Sequence, residues 1–393
     1  MDFRFSPEEQ AFRQEVREFL RRELPPNWEG SGPYGEEAEG DADAAWEFGR
    51  QFTRKLAERK WLAMAWPREY GGLSASHMEQ LIYNEEMAYH AAPGGGGMGV
   101  AWVGPAIMLY GTEEQKRMYL PRIASGEDVW CTLYSETEAG SDLAALKTRA
   151  VKDGDDFVIN GQKTWTSGAH RSNWGWLAAR TDPEAPKHRG ISTFVVDMST
   201  PGISIRHLVN MAGLHGFSEV FFDNVRIPKE NLVGELNRGW YHVAVALDFE
   251  RSGIQAFAGS RRLLERLAAF ARENPRLLTR NPGVRLRLAD RAVELAVGTN
   301  IAYRIPWMQS RELIPNYEAS ISKLYGSELS QRVALTGIQL LGLHGQLEPG
   351  SPWAPLKGRL ERGYVTSVAA TIAAGTSEIQ RNVIATRGLG LPR

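Results

Sequence analysis

The chain has 393 residues, of which 42% are hydrophobic and 24% charged, with a formal net charge of -1. This is the composition of an ordinary soluble globular protein, long enough for two or three domains and without the charge excess that attracts nucleic acid. The single cysteine, Cys131, excludes a disulfide framework or a cysteine-based zinc site within one chain, and the eight histidines do not show zinc-ligand spacing, so we expect no metal site. No apolar run approaches the roughly 18–20 residues that span a bilayer, and the first ten residues do not resemble a signal peptide. We therefore expect a cytoplasmic protein with no integral membrane segment.

Residues 1–128 show helical periodicity and form the first predicted domain. Ser6 and Glu9 fit a capping box that begins a helix, and Thr112 and Gln115 fit a second one. We expect this second helix to end before Pro121, because proline interrupts the helical hydrogen-bond ladder. The other predicted helices of this domain span 44–60 and 78–90, with glycine-rich loops at 29–43 and 93–97.

Short β-rich segments replace the helices over residues 129–236. Asp153-Gly154 separates two of these segments and is a hairpin-type turn signal. Because the strands do not alternate with long helices, a Rossmann domain is disfavoured and a small barrel or sandwich is expected. The predicted strands are 129–135, 150–152, 157–159, 162–167, 174–180, 191–197 and 220–222.

Helical periodicity returns near residue 237, with apolar stripes that include Leu263, Leu288 and Ile321. A fourth helix is predicted to begin near Ser377, where Ser-Glu-Ile-Gln fits a capping box. Four helices of this kind favour an antiparallel bundle. The sequence therefore predicts a multi-domain α+β protein: an N-terminal α-helical domain (1–128), a middle β-barrel domain (129–236) and a C-terminal four-helix bundle (237–393).

Two motifs in the middle domain could hold a flat or anionic group. The loop Tyr134-Ser-Glu-Thr-Glu-Ala-Gly-Ser-Asp142 is small and hydroxyl-rich, and the segment Asn160-Gly-Gln-Lys-Thr-Trp-Thr-Ser167 places an indole beside a hydroxyl. Taken singly, the first is also typical of an ordinary loop and the second of a core aromatic. Together they resemble the middle domain of acyl-CoA dehydrogenases. The resemblance implies FAD contacts from Tyr134, Ser135, Ser141, Trp165 and Ser167, with Ser141 also near the substrate.

Two C-terminal motifs extend the resemblance over essentially the whole chain. Ala374-Gly-Thr-Ser-Glu-Ile-Gln-Arg381 is similar to the family's helix start beside the flavin, where unpaired N–H groups are available. Gln339-Leu-Leu-Gly-Leu-His-Gly345 is similar to a segment that reaches the cofactor of a neighbouring subunit. The resemblance implies FAD contacts from Gln339, Gly342, Thr376 and Glu378, and substrate contacts from Ala374 and Gly375.

The activity implied is α,β-dehydrogenation of an acyl-CoA thioester to the trans-2-enoyl-CoA, as in β-oxidation of fatty acids or other lipids. In the family a carboxylate removes the α-proton while hydride passes to flavin N5. Many members carry the glutamate where this chain has Ala374, which cannot be a base. Members resembling isovaleryl-CoA and long-chain dehydrogenases carry it on an early helix of the bundle, just before an arginine, and Glu250 precedes Arg251 here. On the residues alone Glu250 could be a solvated glutamate; the resemblance makes it the base, with Arg251 and Asp248 orienting substrate and the Ala374 N–H stabilising the thioester oxygen.

Two departures from the family pattern bear on the substrate and partners. Residues 272–280 contain no Arg-x-x-Phe-Gly, so the contact to a partner subunit's FAD is either missing or made by other residues. This feature is reminiscent of members acting on bulky acyl or sterol side-chain thioesters, and the 93–97 loop could widen the acyl pocket. The implied partners are an electron-transfer flavoprotein as acceptor and other subunits, in a homotetramer (dimer of dimers) or an α2β2 heterotetramer. A non-catalytic or partner-dependent subunit, and an oxidase or monooxygenase of the same fold, remain alternatives.

Overall fold

The computed structural model describes residues 4–26, 28–30, 42–95, 97–246, 252–280 and 282–392. Contacts divide the chain into two compact units. The helical unit comprises residues 1–30, 76–92 and 251–393, and the sheet unit comprises residues 31–75 and 93–250. Most of the loop predicted at 29–43 lies outside the described residues.

The described helices, in chain order, are α1 (Pro7–Glu23), α2 (Ala42–Glu58), α3 (His77–Tyr89), α4 (Gly104–Tyr110), α5 (Glu113–Ala124), α6 (Gly239–Ala246), α7 (Ile254–Glu273), α8 (Pro275–Arg280), α9 (Pro282–Gln309), α10 (Tyr317–Leu341), α11 (Arg359–Ala370) and α12 (Ser377–Val383). The described strands are β1 (Trp130–Leu133), β2 (Arg149–Asp153), β3 (Asp156–Ser167), β4 (Trp174–Arg180), β5 (Ile191–Asp197), β6 (Ile203–Leu208), β7 (Phe217–Pro228) and β8 (Leu232–Val233). None of the described helices is long and apolar enough to span a bilayer.

In the helical unit, α1 and α3 join the C-terminal helices α7 to α12. The capping box predicted for α1 is confirmed: Ser6 Oγ accepts from the Glu9 N–H at 3.2 Å, and Glu9 Oε2 accepts from the Ser6 N–H at 2.7 Å. The core of this unit is formed by apolar residues of α7, α9 and α10 packed against α3. A Cβ added at Gly298 of α9 would lie 2.2 Å from the Phe257 ring, so only glycine permits the close approach of α9 to α7.

The sheet unit contains one eight-stranded sheet, counted over the described residues, with the order β6-β7-β3-β2-β4-β5-β8. Strand β1 lies off this path and pairs in parallel with β4. One apolar cluster lies within the strands, and a second joins the sheet to α4, α5 and α6. The predicted order of helices, β-sheet and helices along the chain is therefore confirmed.

Several local predictions were wrong. Helix α5 continues through Pro121 to Ala124, because the buried Leu120 and Ile123 hold its last turn in the core, which outweighs one missing hydrogen bond. The strands predicted at 157–159 and 162–167 are one continuous strand, β3, and β6, β8, α4, α8 and α11 were not predicted. The N-cap of α12 is Thr376 rather than Ser377, and its hydroxyl accepts from the Ile379 N–H at 3.2 Å.

Candidate functional site

Trp165 lies on a β-bulge near the end of β3. The register of β3 with β7 shifts between Lys163 and Thr166, and Trp165 has φ +58°. A bulky residue in this left-handed region is strained, and bulges of this kind redirect a side chain, often beside active sites. Here the bulge turns the Trp165 side chain outward, so that 59% of the residue is exposed.

The exposed face around Trp165 combines an aromatic surface with hydrogen-bonding groups. Its indole is nearly perpendicular to the Phe217 ring, with an angle of 80° between the two planes and ring centroids 5.9 Å apart. Ser167 is half-buried at the last position of β3. A planar heteroaromatic ring could pack on such an indole and accept a hydrogen bond from the neighbouring hydroxyl.

The 134–142 loop lies beside this bulge, and its residues differ in exposure. The Tyr134 ring is buried and stacks on Trp102, with centroids 6.2 Å apart, so its phenol belongs to the core. Ser135 is half-buried and Ser141 is exposed, and neither hydroxyl has a hydrogen-bond partner among the described residues. Ser135 accepts through its carbonyl from the Thr164 N–H at 2.9 Å, so the structure brings the two predicted middle-domain motifs together.

Two charged residues inside these motifs were not predicted as site residues. Lys163 is fully buried and donates to Glu136 at 2.8 Å, between the bulge and the loop. Burial lowers the pKa of Lys163 to about 8, although Glu136 opposes that shift. Burial would raise the pKa of Glu136, but Lys163 and backbone N–H groups outweigh it and hold that pKa low. The sequence shows one lysine in the second motif and glutamates in the first, which could have suggested an ion pair. Only the structure shows that Lys163 and Glu136 form it.

The helical unit contains a second strained turn, at Ala374 and Gly375. Ala374 has φ +53° and Gly375 has φ +85°. Both carbonyls are held: Gln380 Nε2 donates to Ala374 O at 3.1 Å and Lys323 Nζ donates to Gly375 O at 2.6 Å. Ala374 is exposed, and its N–H has no acceptor among the described residues. This turn therefore presents a free donor immediately before α12.

Thr376 and Glu378 lie on a surface cleft of about 380 Å³ that the start of α12 forms with α10. Arg381 of α12 donates to Glu328 of α10 at 2.6 Å on one wall of this cleft. A larger cleft, of about 780 Å³, is lined by residues of α1, α3 and α7 and by residues 24–26 and Trp28, but by none of the predicted site residues.

Gln339 and Gly342 lie apart from the Thr376 cleft, at the C-terminal end of α10. Gln339 is about 11 residues beyond Glu328 on this helix, roughly 16 Å along its axis. Gly342 ends the helix with φ +60° and ψ -135°, a conformation essentially restricted to glycine. Both residues are exposed, as a segment that contacts another subunit would be.

Asp248, Glu250 and Arg251 lie outside the described residues, so the structure gives no geometry for the predicted base or its two neighbours. Within the described part, α7 begins at Ile254 after Gly253, which has φ +65°. Ser322 of α10 donates from its hydroxyl to the Ser252 carbonyl at 2.5 Å and so anchors the chain just before α7.

Family sequence models match three consecutive parts of the chain. The acyl-CoA dehydrogenase N-terminal domain matches residues 6–127, the middle domain matches 131–225, and the C-terminal domain matches 237–389. The chain therefore belongs to the acyl-CoA dehydrogenase family, whose members are FAD-dependent flavoproteins. It is an acyl-CoA dehydrogenase and thus an oxidoreductase.

Individual relatives are similar over their full length. Acyl-CoA dehydrogenase FadE26 of Mycobacterium tuberculosis is 36% identical, covering 100% of this chain and 99% of the relative. Acyl-CoA dehydrogenase IpdE1 of the same organism is 34% identical, covering 98% of each. Among solved structures, the steroid acyl-CoA dehydrogenase Tcur3481-Tcur3483 has a TM-score of 0.89 and the Mycobacterium tuberculosis ChsE4-ChsE5 complex one of 0.88; each is 36% identical and covers 100% of both chains.

Proposed function

We propose that this chain binds FAD and dehydrogenates an acyl-CoA thioester to its trans-2-enoyl-CoA. The observation that carries the proposal is the strained, exposed Trp165 beside Ser167, in a chain of this family. A tryptophan held outward on a bulge is an unfavourable arrangement for a folded chain alone. It becomes understandable if a planar ring covers the indole, because that contact compensates for the strain.

The described residues fit FAD. Trp165 offers an aromatic face, while Ser135, Ser141 and Ser167 offer hydroxyls around it. In the helical unit, Thr376 and Glu378 would contact the cofactor, and Gln339 and Gly342 would contact that of a neighbouring subunit. FAD, when bound, would accept the hydride that leaves the substrate β-carbon.

Glu250 is the proposed base that takes the α-proton. As the proton leaves, negative charge develops on the thioester oxygen, and hydrogen-bond donors lower the barrier by stabilising it. The Ala374 N–H is one such donor, because it is exposed and has no acceptor within the described residues. Because Ala374 itself carries no carboxylate, the base must be a different residue. Gly375 would line the substrate side of the turn, Arg251 and Asp248 would orient the thioester, and Ser141 would contact its pantetheine arm.

The substrate class we propose is a bulky acyl-CoA, such as a steroid-derived thioester, in lipid catabolism. The full-length similarity to a structure described as a steroid acyl-CoA dehydrogenase supports this choice. An electron-transfer flavoprotein is the proposed acceptor, and the assembly is a homotetramer or an α2β2 heterotetramer; the similar ChsE4-ChsE5 structure is described as a complex. The domain limits 1–128, 129–236 and 237–393 remain our prediction.

Glu250→Gln tests the proposed base. We expect turnover with an artificial electron acceptor to fall about 10²–10⁴-fold, because the amide cannot take the proton, with FAD still bound. Glu273→Gln, at the exposed C-terminal end of α7, is the control and should keep wild-type turnover. Near-normal turnover by the FAD-loaded Glu250→Gln protein would show that another group is the base.

A second candidate function is a partner-dependent subunit without its own base, and the alanine at 374 favours it. The two functions differ in what the isolated chain does. If the chain expressed alone shows bound-flavin absorbance and turns over acyl-CoA, the subunit hypothesis is wrong. Flavin binding and turnover that appear only after a second chain is co-expressed would support it instead.

A further inference from the structure

The side chain of Lys163 is fully buried in the sheet unit, and all of its described contacts lead to one loop. Its Nζ donates to the Tyr134 carbonyl at 3.0 Å and to Glu136 Oε1 at 2.8 Å. An ammonium group buried away from water strongly destabilises the folded state unless it is paired and hydrogen-bonded. These two contacts therefore hold the start of the 134–142 loop at a defined position on β3.

Glu136 is the centre of the same arrangement, and only 10% of its side chain is exposed. Besides Lys163, its carboxylate accepts from the Lys147 N–H at 2.6 Å and the Thr148 N–H at 2.9 Å. Its backbone also exchanges hydrogen bonds with Ala139, at 3.2 and 3.1 Å, which closes the tip of the loop. A single carboxylate near the start of this loop thus ties Lys163 of β3 to residues 147–148, which follow the loop.

The lysine also lies where β3 becomes irregular. The register shift begins at Lys163, the Thr164 N–H donates to the Ser135 carbonyl at 2.9 Å, and the strained Trp165 follows. Any movement of Lys163 relative to Glu136 therefore changes the spacing between the loop hydroxyls and the exposed indole.

We propose that Lys163 and Glu136 form a positioning pair that sets the spacing between the 134–142 loop and the Trp165 bulge, and thereby the site for the flavin ring. The proposal rests on the FAD site proposed above. Lys163 acts through its neighbours, because its side chain is buried and cannot itself contact a cofactor. A pair that served stability alone could equally join two segments without site residues, whereas this one joins the two motifs that carry them.

The test uses the full chain and compares two variants with a matched control. Lys163→Met removes the ammonium, and Lys163→Met/Glu136→Gln also removes the carboxylate charge while keeping an acceptor for the backbone N–H groups. The control, Arg122→Met, breaks the ion pair that Arg122 makes with the buried Asp128 at 2.8 Å, also in the sheet unit but on α5. The measurements are the thermal midpoint, the Kd for FAD added to the apo-protein, and the shape of the visible flavin band.

We expect both Lys163 variants to bind FAD at least about tenfold more weakly, with an altered flavin band. Two hydrogen bonds between FAD and displaced site groups would account for a change in binding free energy of that size. Arg122→Met should lower the thermal midpoint but leave the Kd within about twofold. The proposal is overturned if a folded double variant binds FAD with the wild-type Kd and spectrum. It is also overturned if Arg122→Met weakens FAD binding as much as the Lys163 variants do, or if neither Lys163 variant folds. Wild-type apo-protein that binds no FAD would instead defeat the proposed function itself.

Discussion

Both compact units bury ionised side chains, but they place them differently with respect to the candidate site. In the helical unit, Arg13 contacts Glu85 and Glu86 of α3 at 2.9 and 2.7 Å. None of these three is a predicted site residue. In the sheet unit, the buried pair of Lys163 and Glu136 lies inside the two motifs that carry site residues. Buried charge thus serves helix packing in one unit and, as we propose, loop placement in the other.

The helical network is the more extensively paired of the two. Glu86 is fully buried and also accepts from Arg17 at 2.9 Å, while Glu85 accepts from Tyr303 at 2.7 Å and Arg261 at 3.0 Å. These contacts join α1, α3, α7 and α9. Burial and the nearby Glu85 raise the pKa of Tyr303 to about 12, so its hydroxyl remains a donor. Loss of a carboxylate here should affect stability throughout the unit.

The largest effect is expected on stability, from a substitution in the helical network. Glu86→Gln leaves Arg17 without its carboxylate and Arg13 with Glu85 alone, and we expect the free energy of unfolding to fall by about 3–5 kcal/mol. Urea denaturation followed by circular dichroism measures it, with Glu113→Gln, which removes a surface pair with Lys116, as the control expected to change little. FAD affinity of the folded fraction should not change. If Glu86→Gln raised the Kd for FAD as much as Lys163→Met, the two networks would no longer differ in their effect on FAD binding.

A smaller effect concerns a group that the sheet unit buries without charge. His242 is buried, its Nδ1 lies 2.9 Å from Thr193 Oγ1, and burial lowers its pKa from 6.5 to about 4. Between these two values the unfolded chain binds the proton more readily, so stability falls as the pH drops from 6.5 towards 4, by up to about 3 kcal/mol. His242→Gln should have a flatter stability profile over this range, whereas His344→Gln, at an exposed position, should match the wild type. Identical acid profiles for wild type and His242→Gln would contradict the assignment.

The smallest effect concerns backbone strain, which both units also contain. Ala374 adopts the left-handed conformation with an ordinary side chain, so Ala374→Gly should relieve about 1 kcal/mol of strain, partly offset by the greater freedom of glycine when unfolded. We expect a change in unfolding free energy between zero and about +1 kcal/mol, measured by urea denaturation. Ala373→Gly, next to it and without a positive φ, should be destabilising. Equal destabilisation by both variants would show that the turn at Ala374 is unstrained.

Much of the architecture was predictable because its signals are local. The capping box at Ser6 and the strands 174–180 and 191–197 follow from neighbouring residues and periodicity, and they occur as predicted. Predictions failed where packing opposed a local rule. Helix α5 passes through Pro121 because its last turn is buried, and β6, with an alternating but largely exposed pattern, is a strand through its pairing with β7.

The sequence by itself determined the family and the candidate residues, because four short motifs in order identify a cofactor site without any distances. It also showed that Ala374 cannot be the base, because that depends only on the type of side chain. Only the tertiary structure decided that Tyr134 points its ring into the core while Trp165 is exposed, and that Lys163 and Glu136 meet. These features depend on the register of β3 against β7 and on the folding of a loop onto β3, which are contacts between residues distant in sequence.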